Sequence, residues 1–268
     1  MIDIRIRDDA VGPVARGHPW VYRDALLSSA EVGAQVRLLD SRKRVVAWGL
    51  ADEGPIAVRV LGREPEPLDR LVRERVSRAA SFRIRVVCGD TNCYRLINGA
   101  GDGLPGVVAD RYDDIVVLKL YSKAWETHLD LLVGALAALP GTTTVYRRFG
   151  VVRVDGREGG EPLAGPEAPE MLVVREHGLR FLVRPGIGQK TGLFLDQREH
   201  RRLVGQLAAG RLVVNLFAYT GGFSVFAAAS GAARIFTVDI ALPALEDARE
   251  NFRLNGLALD RHVFEAAD

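Results

Sequence analysis

The chain has 268 residues, 48% of them hydrophobic and 26% charged, with a net charge of only +2. Such a length exceeds one ordinary domain, so two or three are expected, and the composition is that of a globular chain rather than a disordered one. No apolar run approaches the ~18 residues of a membrane span. Met1–Arg7 alternates like a strand and not like a signal peptide, and two cysteines, Cys88 and Cys93, make neither a disulfide framework nor a zinc site. The expected compartment is the cytoplasm, with no membrane partner. Positive charge rests on arginine far more than lysine. Arginine suits phosphate and base recognition, although a coding bias explains the composition equally well.

Residues 1 to about 66 read as a small β domain. Short alternating strands are predicted at Ile2–Ile6, Gln35–Leu39, Val45–Leu50 and Ala57–Leu61, punctuated by Gly12-Pro13, Gly33 and Gly54-Pro55. Arg16–Tyr22 interrupts them with a compact turn and a short helix. Arg16, His18, Trp20 and Arg23 put cations beside an aromatic that can stack a base, so they are the RNA-facing candidates. The competing reading makes Trp20 and Tyr22 core aromatics and leaves Arg16 solvated. Arg42-Lys43-Arg44 reads as an exposed hairpin turn.

Gly62–Pro67 is a charged, proline-containing linker. The helix after it runs from Leu68 to about Arg83, with Leu68, Leu71, Val72, Val76, Ala79 and Ala80 on one face. Its other face carries Arg70, Arg73, Arg75 and Arg78, read as solvated, with RNA contact as the alternative. A strand at Tyr94–Asn98 enters a glycine-rich turn, followed by a hairpin of Val107–Arg111 and Ile115–Tyr121. A helix over Ala124–Leu139 comes next, then strands near Thr144–Arg148, Leu172–Arg175 and Leu179–Val183. Gly156–Pro169 is expected to be a mobile surface loop.

From about Pro185 the pattern changes. A polar segment, Gln189-Lys190-Thr191, precedes a helix from about Asp196 to Gly210. The apolar strand Leu212–Phe217 then meets Gly221-Gly222, a helix of small residues from Ser224 to Ala229, and a second apolar strand, Ile235–Asp239. Strand, glycine turn, helix and carboxylate-tipped parallel strand are how an α/β protein holds an adenosine-bearing cofactor. Glycine at 221 and 222 brings backbone N–H groups close to a ligand, and Asp239 accepts from the two ribose hydroxyls. Gly-x-Gly-x-x-Gly is absent, which argues against a dinucleotide and for S-adenosylmethionine, a cofactor without pyrophosphate.

Three stretches carry a family resemblance: Gly188-Gln-Lys-Thr-Gly-Leu-Phe-Leu-Asp-Gln-Arg198, Asn215-Leu-Phe-Ala-Tyr-Thr-Gly-Gly-Phe-Ser224 and Ala248-Arg-Glu-Asn-Phe-Arg-Leu-Asn-Gly256. With Arg95–Tyr112 they resemble the S-adenosylmethionine-dependent 23S ribosomal RNA (cytosine-C5) methyltransferases, which bear an N-terminal PUA domain. The resemblance implies an α+β multi-domain chain. Residues 1–66 become a PUA-like RNA-binding domain, 67–186 a linker helix with a central strand-strand-helix-strand-strand domain, and 187–268 the N-terminal part of a Rossmann-like methyltransferase domain. It implies cofactor contacts at Gln189, Lys190, Thr191, Asn215, Phe217, Tyr219, Thr220, Gly221, Gly222, Asp239 and Asp268, and an RNA contact at Arg198. Large-subunit ribosomal RNA is the implied partner, and a homodimer is an admitted assembly.

The family's Asp-Pro-Pro-type motif and nucleophilic cysteine are absent up to Asp268, so the catalytic residues are expected beyond residue 268. Neither Cys88 nor Cys93 matches that cysteine. The chain is therefore read as a fragment, with the first strand of the third domain left as an edge, weak cofactor binding and no methyl transfer. For the whole enzyme the resemblance implies thiolate attack on cytosine C6, which readies C5 for the methyl group. Two other classes compete: a non-catalytic RNA-binding protein with a remnant cofactor fold, and a nicotinamide-dependent oxidoreductase.

Overall fold

The computed structural model describes residues 1–87, 89–150, 156, 158–188 and 190–267. They form two compact units, residues 1–86 with 95–168 and residues 87–94 with 169–268. The second unit thus begins well before the expected limit at 186.

The first unit opens with a five-stranded sheet of β1 (Ile2–Arg5), β2 (Trp20–Tyr22), β3 (Gln35–Leu39), β4 (Val45–Ala51) and β5 (Ile56–Gly62), in the order β1-β3-β4-β5-β2. β1 lies parallel to β3, and the other neighbours are antiparallel. Period-two alternation sends Ile4, Val36, Leu38 and Val58 inward, where they pack with Val14 and Val21. Val14 belongs to α1 (Asp8–Ala15), whose first-turn Asp8 and Asp9 complement the helix dipole. The expected helix at 16–22 is displaced: it precedes Arg16, and Trp20-Val21-Tyr22 forms a strand because aromatic and β-branched residues favour the pleated surface.

α2 (Leu68–Val86) buries Leu68, Leu71, Val72, Val76 and Ala79, as its periodicity requires. A second five-stranded sheet follows, formed by β6 (Cys93–Asn98), β7 (Val107–Tyr112), β8 (Ile115–Leu120), β9 (Thr144–Arg148) and β10 (Gly160–Ala164), in the order β10-β9-β8-β7-β6. The helix expected over 124–139 divides into a 3-10 segment, Lys123–His128, and α3 (Leu129–Ala137). Trp125 is fully buried in the first part, its indole donating to the Pro105 carbonyl at 2.9 Å. β10 lies within the stretch expected to be a loop. It is an edge strand, where Pro162 leaves no central ladder bond unmade. The sequence β7-β8-α3-β9-β10 has the expected strand-strand-helix-strand-strand order, but residues 172–183 do not complete it.

Those residues form a separate hairpin in the second unit, β11 (Leu172–Glu176) and β12 (Leu179–Val183). His177 and Gly178 at the turn have φ of 48° and 78°, the left-handed pair that matches strand twist. The rest is α4 (Arg198–Ala208), α5 (Gly222–Ala229), α6 (Leu242–Leu254) and three parallel strands, β13 (Leu212–Leu216), β14 (Arg234–Asp239) and β15 (Val263–Ala266), in that order. Phe226 on α5 stacks on Phe181 of β12 at 6.0 Å, and Phe252 on α6 packs edge-on against Phe264. β13 is an edge strand, with Leu212, Val214 and Leu216 more than half exposed.

Candidate functional site

The loop after β13 turns in four residues. Phe217 and Tyr219 hold φ of 55° and 50°, and Gly221 holds 71°. Left-handed backbone is unfavourable for aromatic residues and persists only where surrounding bonds over-determine it. Those bonds are present. The Ala218 N–H donates to Val238 O at 2.9 Å, the Gly221 N–H to Ala218 O at 2.9 Å, and the Tyr219 N–H to Asp239 Oδ2 at 2.7 Å. Buried Asn251 donates to Thr220 O at 2.9 Å and accepts from the Leu182 N–H at 2.7 Å, tying the loop to the hairpin.

Two glycines set how closely the loop can pack. A Cβ on Gly221 would lie 2.8 Å from the Ala248 Cβ, and one on Gly222 would lie 2.9 Å from Arg201 Cδ. Arg201 cannot move aside easily. It is buried, makes a bidentate pair with buried Glu176 at 2.7 and 2.6 Å, and donates to Phe194 O at 3.0 Å.

Asp239 ends β14 opposite this turn. One carboxylate oxygen accepts from Tyr219 N, the other from Ala241 N at 2.9 Å, and each retains room for a second donor. Between loop and carboxylate lies a cavity of about 680 Å³, within the usual range for cofactor pockets. Phe217, Tyr219, Thr220, Gly222 and Asp239 line it, as do Phe194, Gln197, Phe223 and Ile240. Phe217 and Ile240 are 87% and 71% exposed, apolar surface that a flat heterocycle would cover. A smaller cavity of about 320 Å³ lies beside Tyr219 and Thr220, with Arg184 and Asp247 in its wall. The hydrogen bond from Arg184 to Asp247 raises the guanidinium pKa above its ordinary value.

The remaining candidates fall elsewhere. Asn215 turns its amide under α5, donating to Ser224 Oγ at 2.9 Å, and Ser224 also accepts from Thr237 at 2.8 Å. Lys190 pairs with Asp196 at 3.2 Å and stands 4.3 Å above the Phe194 ring, and Thr191 is buried. Gln189 and Asp268 lie outside the described residues, as does Cys88. Cys93 is fully buried, its thiol 3.3 Å from Arg175 O. Gln197 and Phe194 were visible inside the quoted Gly188–Arg198 stretch, but nothing in their spacing aimed them at the cavity.

Of the RNA candidates, Arg16 is exposed and makes no side-chain hydrogen bond or ion pair among the described residues. His18 and Trp20 meet edge-to-face at 5.1 Å, His18 Nδ1 lies 2.9 Å from Trp20 O, and the Trp20 indole nitrogen is buried. Arg23 donates to the Gly54 and Asp52 carbonyls at 2.9 and 3.0 Å. In the second unit Arg198 pairs with Glu199 at 3.0 Å. Among the described residues no group of three or more His, Cys, Asp or Glu could hold a metal ion, and no helix is long and apolar enough to cross a membrane.

Comparison with known proteins adds to this geometry. A family model described as S-adenosylmethionine-dependent methyltransferase matches residues 95–268, and a PUA-like domain model matches residues 4–63. A ribosomal RNA large subunit methyltransferase of Deinococcus radiodurans is 39% identical, over 94% of this chain and 66% of its own length. Ribosomal RNA large subunit methyltransferase I of Escherichia coli is 34% identical, again over 94% and 66%. Its counterpart in Tolumonas auensis is 33% identical, over 99% of this chain and 70% of its own. The chain thus spans 66% of the length of the first two. A solved structure described as a SAM-dependent methyltransferase from Streptococcus mutans superposes with a TM-score of 0.90 at 26% identity, covering all of this chain and 71% of that one. A methyltransferase solved in complex with SAH gives 0.91 at 26% identity, covering all of this chain and 70% of its own.

Proposed function

The chain belongs to the S-adenosylmethionine-dependent methyltransferase family, and from that premise we propose that it serves the methylation of large-subunit ribosomal RNA, with C5 of cytosine as the atom modified. Its architecture is an N-terminal PUA-like domain followed by an α+β methyltransferase domain. The observation that carries the cofactor assignment is Asp239, a carboxylate facing a glycine turn across a cavity of about 680 Å³.

The residues present fit the group. Asp239 has acceptor capacity for two ribose hydroxyls beyond its two backbone donors. Gly222, whose own Cβ would crowd Arg201, brings its backbone into the cavity wall. Phe217 and Ile240 supply apolar surface for the adenine, and Phe194 and Tyr219, edge-to-face at 5.5 Å, close the wall on another side. When bound, the cofactor supplies an electrophilic methyl on a sulfonium. Thr220 and Gln197 offer polar atoms on the cavity wall for its amino-acid portion. Lys190, Thr191 and Arg198 belong to the segment leading into α4 and stay as candidates for the RNA or cofactor side.

On the RNA side, Arg16 is the candidate with the freest cation, and His18, Trp20 and Arg23 complete the patch. Phosphate contacts there would position the strand without reading its sequence. The target base must leave its stack to reach a methyl donor.

Calorimetric titration with S-adenosylhomocysteine and with NADH tests the cofactor: saturable binding of the first alone is expected, and NADH binding alone would sink the reading. Incubation of the whole enzyme with S-adenosylmethionine and large-subunit ribosomal RNA, followed by nucleoside mass spectrometry, tests the reaction. 5-Methylcytidine is expected. A different methylated nucleoside would overturn C5 of cytosine while keeping the enzyme, and RNA binding with no transfer would favour the non-catalytic alternative.

A further inference from the structure

We propose that the first unit holds a backbone phosphate of its RNA in a cavity walled by Arg63, Arg75 and Arg78. This rests on the RNA reading above and assigns a contact outside the PUA-like residues, on α2. The cavity measures about 230 Å³, below the ~300 Å³ where pockets for drug-sized molecules begin, which suits a phosphodiester group. It lies where the turn after α1, the end of β5, α2 and the Gly99–Pro105 loop come together. Three guanidinium groups line it and, among the described residues, no carboxylate does.

None of the three is neutralised within the cavity. Arg75 gives its donors to the carbonyls of Leu61 and Gly103, which accept hydrogen bonds but carry no formal charge. Gly103, at a φ of 77°, has no side chain where the Arg75 guanidinium lies; a Cβ there would be 3.0 Å from it. Arg63 donates to Ala15 O at 2.6 Å. Arg78 is exposed and its side chain makes no hydrogen bond or ion pair among the described residues. Glu66, whose charge acts on Arg75, is itself paired with Arg70 at 3.4 Å. Burial lowers the Arg75 pKa, the signature of a cation short of counter-charge.

The planar arginine fork matches two phosphate oxygens at once. Contacts of this kind bind any sequence and weaken with salt.

The test is fluorescence anisotropy on the full chain with a labelled large-subunit ribosomal RNA fragment. Because the Arg78 side chain is exposed and has no partner among the described residues, its replacement leaves folding intact, checked by unchanged S-adenosylhomocysteine affinity. Between about 50 and about 200 mM KCl, Arg78→Ala is expected to weaken binding roughly three- to tenfold and to reduce the slope of log K against log salt by about one, equally for unrelated sequences. Arg78→Lys is expected to keep the slope. A slope and affinity unchanged in Arg78→Ala would overturn the phosphate site and leave the RNA reading standing. No RNA binding by the unaltered chain would overturn both. In that case, inorganic phosphate binding that Arg78→Ala removes would make the cavity a free-anion site, against the proposal.

Discussion

Two arginines, one in each unit, are handled in opposite ways. Arg201 is 5% exposed and meets both oxygens of fully buried Glu176. Arg75, half-buried in the first unit, meets only the carbonyls of Leu61 and Gly103. The first arrangement cancels charge and leaves a rigid post against which Gly222 and the Phe194 carbonyl are set. The second keeps a full positive charge at a cavity wall. A carboxylate partner makes an arginine an anchor, and a carbonyl partner orients it while leaving its charge for something else. Asp239 follows the second pattern with the opposite sign: both its oxygens accept from backbone N–H groups and none from a cation.

The largest effect should come from breaking the anchor. Glu176→Ala leaves the Arg201 guanidinium buried and unpaired and should cost about 3–5 kcal/mol, read by chemical denaturation; a loss below about 1 kcal/mol would show that the pair is not a post. Asp239→Ala comes next. It removes a charged acceptor from the turn and from the ribose, and S-adenosylhomocysteine affinity should fall about 100-fold by calorimetry, with melting of the first unit unchanged. An affinity equal to that of the unaltered chain would remove the ribose assignment. Gly222→Ala puts a methyl 2.9 Å from Arg201 Cδ and should lower stability by about 1–3 kcal/mol as over-packing. An unchanged melting temperature would mean that Arg201 yields and is less fixed than its ion pair implies.

The smallest effect is a pH dependence in the second unit. Burial, with the charge of Arg261 beside it, lowers the His262 pKa below the ordinary imidazole value of 6.5. As pH falls below 6.5 the unfolded chain takes up a proton that the folded chain resists. Stability is therefore complete above that pH and declines on acidification. Protonation would also remove the Nδ1 acceptor of the Ile235 N–H at 3.2 Å. The melting temperature should fall modestly between pH 7.5 and 5.5 and fall less in His262→Gln; identical slopes would remove His262 as the cause.

Much of this was legible beforehand, and for local reasons. Strands β3, β8, β9 and β12 and helix α2 follow from alternation, periodicity and proline or glycine punctuation, which are properties of short windows. Gly221-Gly222 and Asp239 could be paired because a strand-turn-helix-strand unit places its two strand tips side by side whatever the rest of the chain does. The displaced α1, the 3-10 segment at Lys123–His128 and β10 within a supposed loop were not legible. In each, a partner distant in sequence decides the outcome: the β5 strand that pairs Trp20–Tyr22, the Pro105 carbonyl that receives the Trp125 indole, and the β9 edge that recruits residues 160–164.

The same division runs through the sites. Sequence alone determined which residues carry charge, where the glycines sit and that α2 has an arginine face. Whether each charge would be cancelled was settled only in three dimensions. Asn215 reads like a cofactor ligand and is turned under α5 to Ser224; Arg75 and Arg78 read like a solvated helix face and line a cavity without a carboxylate among the described residues. A side chain's identity is written in the chain, but the free energy of its charge depends on the dielectric and the partners around it, and those come from segments that only folding brings together.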